Sequence, residues 1–137
     1  MKILALDYGT TRIGVAVSDI NNKVAFPREY IKNTADNIQP IRKIIIDEEI
    51  EQIIVGYPKS LNNNDTKMSI EAKNFYLNIQ QETKIQTLLI DERLSSKFAE
   101  KQLIYCDTSR KDRKQKVDSI AASFFLQGYL DKLNQKC

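Results

Sequence analysis

Two apolar runs separated by a short turn dominate the start of the chain: KILALDY, residues 2–8, and RIGVAVSD, residues 12–19, joined through Gly9. They read as an antiparallel β-hairpin. In the first run Ile3 and Ala5 fall on one face and Leu4 and Leu6 on the other. A strand apolar on both faces belongs in the middle of a sheet that is covered on both sides. Residues 23–32, KVAFPREYIK, add a third strand, which Pro27 restricts to an edge or a bulge.

Later signals alternate between helix and strand. Pro40 fits the first turn of a helix that carries Ile41, Ile44 and Ile45 on one side. QIIVGYP, residues 52–58, is a short buried strand stopped by Gly56 and Pro58. The polar stretch 59–67 is a loop with Asp65 and Thr66 as helix N-cap candidates, and Met68, Ala72, Phe75 and Ile79 follow at helical spacing. IQTLLI, residues 85–90, is a further strand. Two helices follow, near 95–106 and 115–133, separated by a strongly basic connection. The order βββαβαβαα predicts an α/β fold, with a mixed sheet, an N-terminal antiparallel hairpin and helices packed over it. At 137 residues the chain is long enough for one domain, 1–137, with a real core.

Against this apolar pattern, four acids are out of place. Asp7 ends the first strand, Asp91 and Glu92 directly follow residues 85–90, and Asp118 lies in the otherwise apolar VDSIAASFFLQGYL. Helical spacing aligns Asp118 with Ala122, Phe125 and Tyr129, and a carboxylate in such surroundings is costly to desolvate without compensating positive charge. Taken singly, each acid also fits a turn, cap or ion-pair role, with Arg12 pairing Asp7 and Arg93 pairing Asp91 or Glu92. Converging, they make a hard-oxygen site that suits Mg²⁺ or Mn²⁺. Asp7 would then sit at a strand tip because a metal ligand must be held still. Since adjacent strand residues alternate faces, one member of the Asp91–Glu92 pair points inward, and spacing does not say which.

Histidine is absent from the chain, which excludes Ser-His and Cys-His nucleophile chemistry and His-ligated metals. The two cysteines, Cys106 and Cys137, form no CxxC pair and fit a reducing cytoplasm. No stretch has the length of a membrane span, and the start of the chain lacks the shape of a signal peptide. The net charge of +3 demands no polyanionic partner, so the distribution of charge matters more. Residues 110–116, RKDRKQK, place Arg110, Lys111, Arg113, Lys114 and Lys116 just before Asp118. Such a run is expected to contact phosphates without reading sequence. Lys59 and Lys67 could extend the groove, and Arg12 and Arg93 lie beside the acids.

The segments LALDYGTTRIGVAVSD, IIVGYP, LLIDERLSSKFAEKQL and KQKVDSIAASFFLQGYLD resemble, in order and spacing, the signature segments of the YqgF-type or RuvX family. That resemblance implies an RNase H-like nuclease with helices on both faces of the sheet, once proposed as a Holliday-junction resolvase and associated with maturing the small-subunit ribosomal RNA precursor. It makes Asp7, Glu92 and Asp118 the metal-binding acids and prefers Glu92 to Asp91. Thr11 stands where the family often has a basic residue, and YPKSLNNND lacks the family's downstream glycine. The expected activity is hydrolysis of phosphodiesters by two metal ions with water as nucleophile, at the 5′ end of pre-16S rRNA in ribosome biogenesis. The expected partners are pre-rRNA or other structured RNA and ribosomal particles. The alternatives are a resolvase of branched DNA and a non-catalytic RNA- or ribosome-binding module. Sugar-kinase and actin-like ATPases also use a DxGTT hairpin, but they need a second lobe for which this chain has no second copy.

Overall fold

The computed structural model describes residues 2–57, 67–91 and 110–135, with side chains described at 2–56, 70–90 and 121–134. The predicted helix at 95–106, the loop with Asp65 and Thr66, and Lys59, Glu92 and Arg93 lie outside the described residues. The chain runs β1 (Lys2–Asp7), β2 (Arg12–Ser18), β3 (Ala25–Lys32), α1 (Ile38–Asp47), β4 (Ile50–Tyr57), α2 (Lys67–Thr83), β5 (Gln86–Asp91) and, after 92–109, α3 (Arg110–Gln135). The five strands form one sheet in the order β3-β2-β1-β4-β5. β1 pairs β2 and β2 pairs β3 antiparallel, whereas β1–β4 and β4–β5 are parallel. The mixed sheet expected from the sequence is therefore present, with β1 at its centre and the Pro27 strand at its edge.

Alternation along β1 divides the core into two layers. Leu4 and Leu6 join Ile13, Val15, Val17, Ile53 and Val55 against Ile41 of α1 and Phe75 and Ile79 of α2. Ile3 and Ala5 join Ala16 and Ile54 against Ala122, Phe125, Leu126 and Leu130 of α3. Helices thus cover both faces, α1 and α2 on one and α3 on the other. Each fully buried Ile or Leu contributes about 1.5–3 kcal/mol to holding the layers together. Ala5, Ala16, Ala121 and Ala122 are all fully buried, and such small side chains let α3 lie close to the sheet.

Polar groups inside this frame carry structural bonds. Ser18 Oγ accepts the Ile3 N–H at 2.7 Å and donates to Asn22 Oδ1 at 2.9 Å. Gln52 donates from Nε2 to the Tyr129 hydroxyl at 2.9 Å, tying β4 to α3. Gln127 of α3 accepts the Ala25 N–H at 2.9 Å and donates to the Lys23 carbonyl at 2.8 Å, clasping the β2–β3 turn. In that turn Asp19 Oδ1 accepts the N–H groups of Lys23 at 2.7 Å and Val24 at 2.8 Å, and these two donors, Val24 first, hold its carboxyl below the ordinary aspartate value.

The structure corrects one expectation about α3. Residues 110–116 are not a connection before a helix at 115; they are its first turns. Arg, Lys and Gln are strong helix formers, and nothing in RKDRKQK breaks the backbone. Asp118 consequently lies two turns inside α3, which rules out the cap role. Among the described residues no helix is long and apolar enough to cross a membrane.

Candidate functional site

Asp7 is the last residue of the central strand and is 8% exposed. Its cross-strand partners are both glycines, Gly14 on β2 and Gly56 on β4. Directly opposed residues ordinarily bring Cβ atoms within about 4.5–5.5 Å of each other. Here neither cross-strand neighbour has a side chain. One residue further along the row, Gly56 pairs with Ile90 of β5.

The face of this row follows from the two core layers. Leu4 and Leu6 belong to the α1/α2 layer, and Ile3 and Ala5 belong to the α3 layer. Period-two alternation places position 7 with 3 and 5, on the face that α3 covers. On α3 the stripe that packs on this face includes Ala122, Phe125 and Tyr129, and position 118 is one turn earlier on the same stripe. On β5, Leu88 and Ile90 pack in the α3 layer while Leu89 packs in the other. Asp91 closes β5 opposite Tyr57, and Lys67 opens α2; the side chains of Asp91, Lys67, Arg110, Lys111, Arg113, Lys114, Lys116 and Asp118 are not among those described. Among the described residues no group of three or more Cys, Asp or Glu side chains gathers at one point.

The turn after Asp7 is held by residues that sequence reasoning did not single out. Asn33 donates from Nδ2 to the Gly9 carbonyl at 2.7 Å, and its own N–H donates to the Thr11 carbonyl at 2.9 Å. Asn37 in turn donates to Asn33 Oδ1 at 3.0 Å. Asn37, at the N-cap of α1, already has helical backbone angles (φ −67°, ψ −15°) and makes no side-chain cap bond. Gly9 itself is obligatory, since a Cβ there would run into the Arg12 carbonyl oxygen. On the other side of the strand tip, the Tyr8 ring packs tilted on Phe75 of α2 with centroids 5.2 Å apart. Asx-type side chains in a segment such as NTADN commonly signal turns, but nothing local shows that they reach back to residues 9–11. Arg12 lies with its guanidinium carbon 5.2 Å from the centre of the Tyr30 ring.

A family model described as "RuvX: Holliday junction resolvase" matches residues 1–132. The chain belongs to the RuvX family. Relatives bearing the name "Putative pre-16S rRNA nuclease" include one from Shouchella clausii (strain KSM-K16), 37% identical over 136 residues and covering 96% of each chain. Another, from Halothermothrix orenii, is 39% identical over 137 residues and covers 98% of each chain. Among solved structures, Thermus thermophilus RuvC in complex with Holliday junction substrate superposes with a TM-score of 0.58 at 15% identity, over 98% of this chain and 96% of that one. The fowlpox virus Holliday junction resolvase gives 0.57 at 13% identity, over 97% of this chain and 99% of its own. At such identities the likeness is one of fold, and that fold is the RNase H-like α/β architecture expected for a RuvX chain.

Proposed function

We propose that this RuvX chain is a divalent-metal-dependent endonuclease that hydrolyses phosphodiester bonds, acting in the cytoplasm on the 5′ end of pre-16S rRNA within ribosomal particles. One observation carries the reading: a carboxylate at the tip of the central strand, flanked by two glycines, on the face covered by α3. A hard anionic donor held at a strand tip, with glycine as its cross-strand neighbour on both sides, fits Mg²⁺ or Mn²⁺.

Asp7, Glu92 and Asp118 would hold the ions. Support for Glu92 over Asp91 comes from β5: even positions 88 and 90 share the face of Asp7, and a strand continued by one residue puts 92 in that series and 91 in the opposite one. Support for Asp118 comes from its place one turn before Ala122 on the stripe that faces the sheet. Such ions, when bound, activate a water and stabilise the leaving oxygen. The protein's own part is to hold Asp7 rigid within the sheet, to fix the Gly9–Thr11 turn through Asn33, and to bind phosphates with basic groups. Arg12, Arg93, Lys59 and the run Arg110, Lys111, Arg113, Lys114 and Lys116 are the proposed contacts, the last five now along the opening turns of α3.

The family description and the likeness to RuvC favour one second reading, resolution of branched DNA. End-labelled pre-16S rRNA and a four-way DNA junction, each incubated with Mn²⁺ or with EDTA, separate the two. The expected result is metal-dependent cutting of the RNA that falls by about three orders of magnitude in Asp7→Asn, the size of several kcal/mol of lost transition-state stabilisation. Cutting of the junction alone establishes the second reading. Binding without cutting of either substrate reduces the chain to a binding module.

A further inference from the structure

The edge strand β3 contains a bulge whose effect is to change which residues share the face of Asp7. Before it, Phe26 and Arg28 oppose Val17 and Val15, residues of the α1/α2 layer, and Arg28 pairs with Glu48 at the end of α1 at 3.3 Å. Ala25 and Pro27 fall on the α3 face, Pro27 opposite Ala16. The register then shifts between Ile13 and Val15, and Ile31 packs in the α1/α2 layer opposite Ile13. The even positions have changed sides. Tyr30 and Lys32, which an unbroken strand would point toward α1, lie instead on the face that carries Asp7.

There they meet Arg12. Arg12 and Lys32 are directly opposed in the ladder, and the Arg12 guanidinium lies over the Tyr30 ring. Like charges directly opposite each other destabilise a strand pair. The bulge brings a second cation beside the first, with an aromatic ring against the first, and so gathers positive charge on the face of Asp7. Strand spacing puts the Cα of Arg12 about 8 Å and that of Lys32 about 12 Å from that of Asp7, along a line running outward across β2 and β3. Lys32 is exposed, and Arg12 and Tyr30 are partly so.

We propose that Arg12 and Lys32, with Tyr30 aligning Arg12, form a phosphate-binding subsite for a nucleic-acid strand that leaves Asp7 across the β2–β3 edge. This rests on the nuclease reading above and adds to it a direction for the strand. The subsite binds backbone phosphate, so it contributes to affinity without sequence preference.

The test is the salt dependence of binding, read by fluorescence anisotropy with a labelled single-stranded RNA from the precursor 5′ region and with a four-way DNA junction. All proteins carry Asp7→Asn so that the probe stays intact, and electrophoresis of the recovered probe checks that it has. Lys32→Gln is expected to weaken binding several-fold and to reduce the slope of log K against log salt by about 0.7 for the single strand and about 0.9 for the duplex arms. Its thermal midpoint is expected not to fall, because the substitution removes a like-charge opposition. Tyr30→Phe should keep the parent slope, whereas Tyr30→Leu should lose affinity by releasing Arg12. Lys43→Gln, an exposed change on α1 on the far side of the sheet, serves as the control and should leave the slope unaltered. A Lys32→Gln protein with the same affinity and slope as the Lys43→Gln control overturns the subsite while leaving the nuclease reading in place. A parent protein that binds neither probe at low salt overturns both.

Discussion

Asp7 stood out in the sequence as a candidate because an acid terminating a run that is apolar on both faces has no packing reason to be there. Its surroundings did not. That Gly14 and Gly56 flank it depends on strand register, and β4 is more than forty residues away in the chain. Asn33 was equally hidden, since its bond to the Gly9 carbonyl spans 24 positions and no local pattern announces it. Gly9, by contrast, carries a sharp expectation at this scale. Replacing it with Ala sets a Cβ against the backbone carbonyl of Arg12, a group that cannot swing aside. Gly9→Ala should lose about 1–3 kcal/mol in urea unfolding, the range for forced overpacking, and should displace the turn that follows Asp7. A variant with an unchanged midpoint would mean that this turn is laxer than the contact implies.

Among the elements, strands were read more accurately than the basic helix start. The hairpin, the edge position of the Pro27 strand and the parallel strands β4 and β5 follow from apolar runs bounded by Gly, Pro and polar residues. The first turns of α3 escaped because a dense charge run reads as solvated connection, although Arg, Lys and Gln favour helix. A bulge in β3 was one of the two options that Pro27 left open, but its place opposite Ile13–Val15 escaped, because period-two alternation is the very signal that a bulge interrupts. Two helix ends carry a further feature: Glu49 after α1 and Lys84 after α2 adopt left-handed backbone with φ of 55° and 58°. Glu49 immediately precedes β4 and Lys84 stands two residues before β5, and glycine is the residue that adopts this conformation without a steric cost. Lys84→Gly and Glu49→Gly should each raise stability by about 0.5–1 kcal/mol, offset in part by added freedom of the unfolded chain. Chemical denaturation with matched m-values checks this, and a loss of stability in both would show that the side chains matter more than the backbone.

For the molecule as a whole, the core divides into two layers, and the proposed acids belong to the side of α3. The α1/α2 layer is the more thickly packed with Ile, Leu and Val, whereas the α3 layer includes alanines, and Asp7 with its two glycine partners lies at its edge. Glu92 shares the face of Asp7 if it continues the series of Leu88 and Ile90, and Asp91 then falls in the opposite series. Calorimetric titration of Mn²⁺ into the wild type, Asp7→Asn, Asp91→Asn and Glu92→Gln distinguishes the two acids. The expected result is saturable binding by the wild type, at least about tenfold weaker binding for Asp7→Asn and Glu92→Gln, and near wild-type binding for Asp91→Asn. Loss of binding in Asp91→Asn with binding retained in Glu92→Gln would overturn the choice of Glu92, and the metal would then have to be sought from the opposite side of β5.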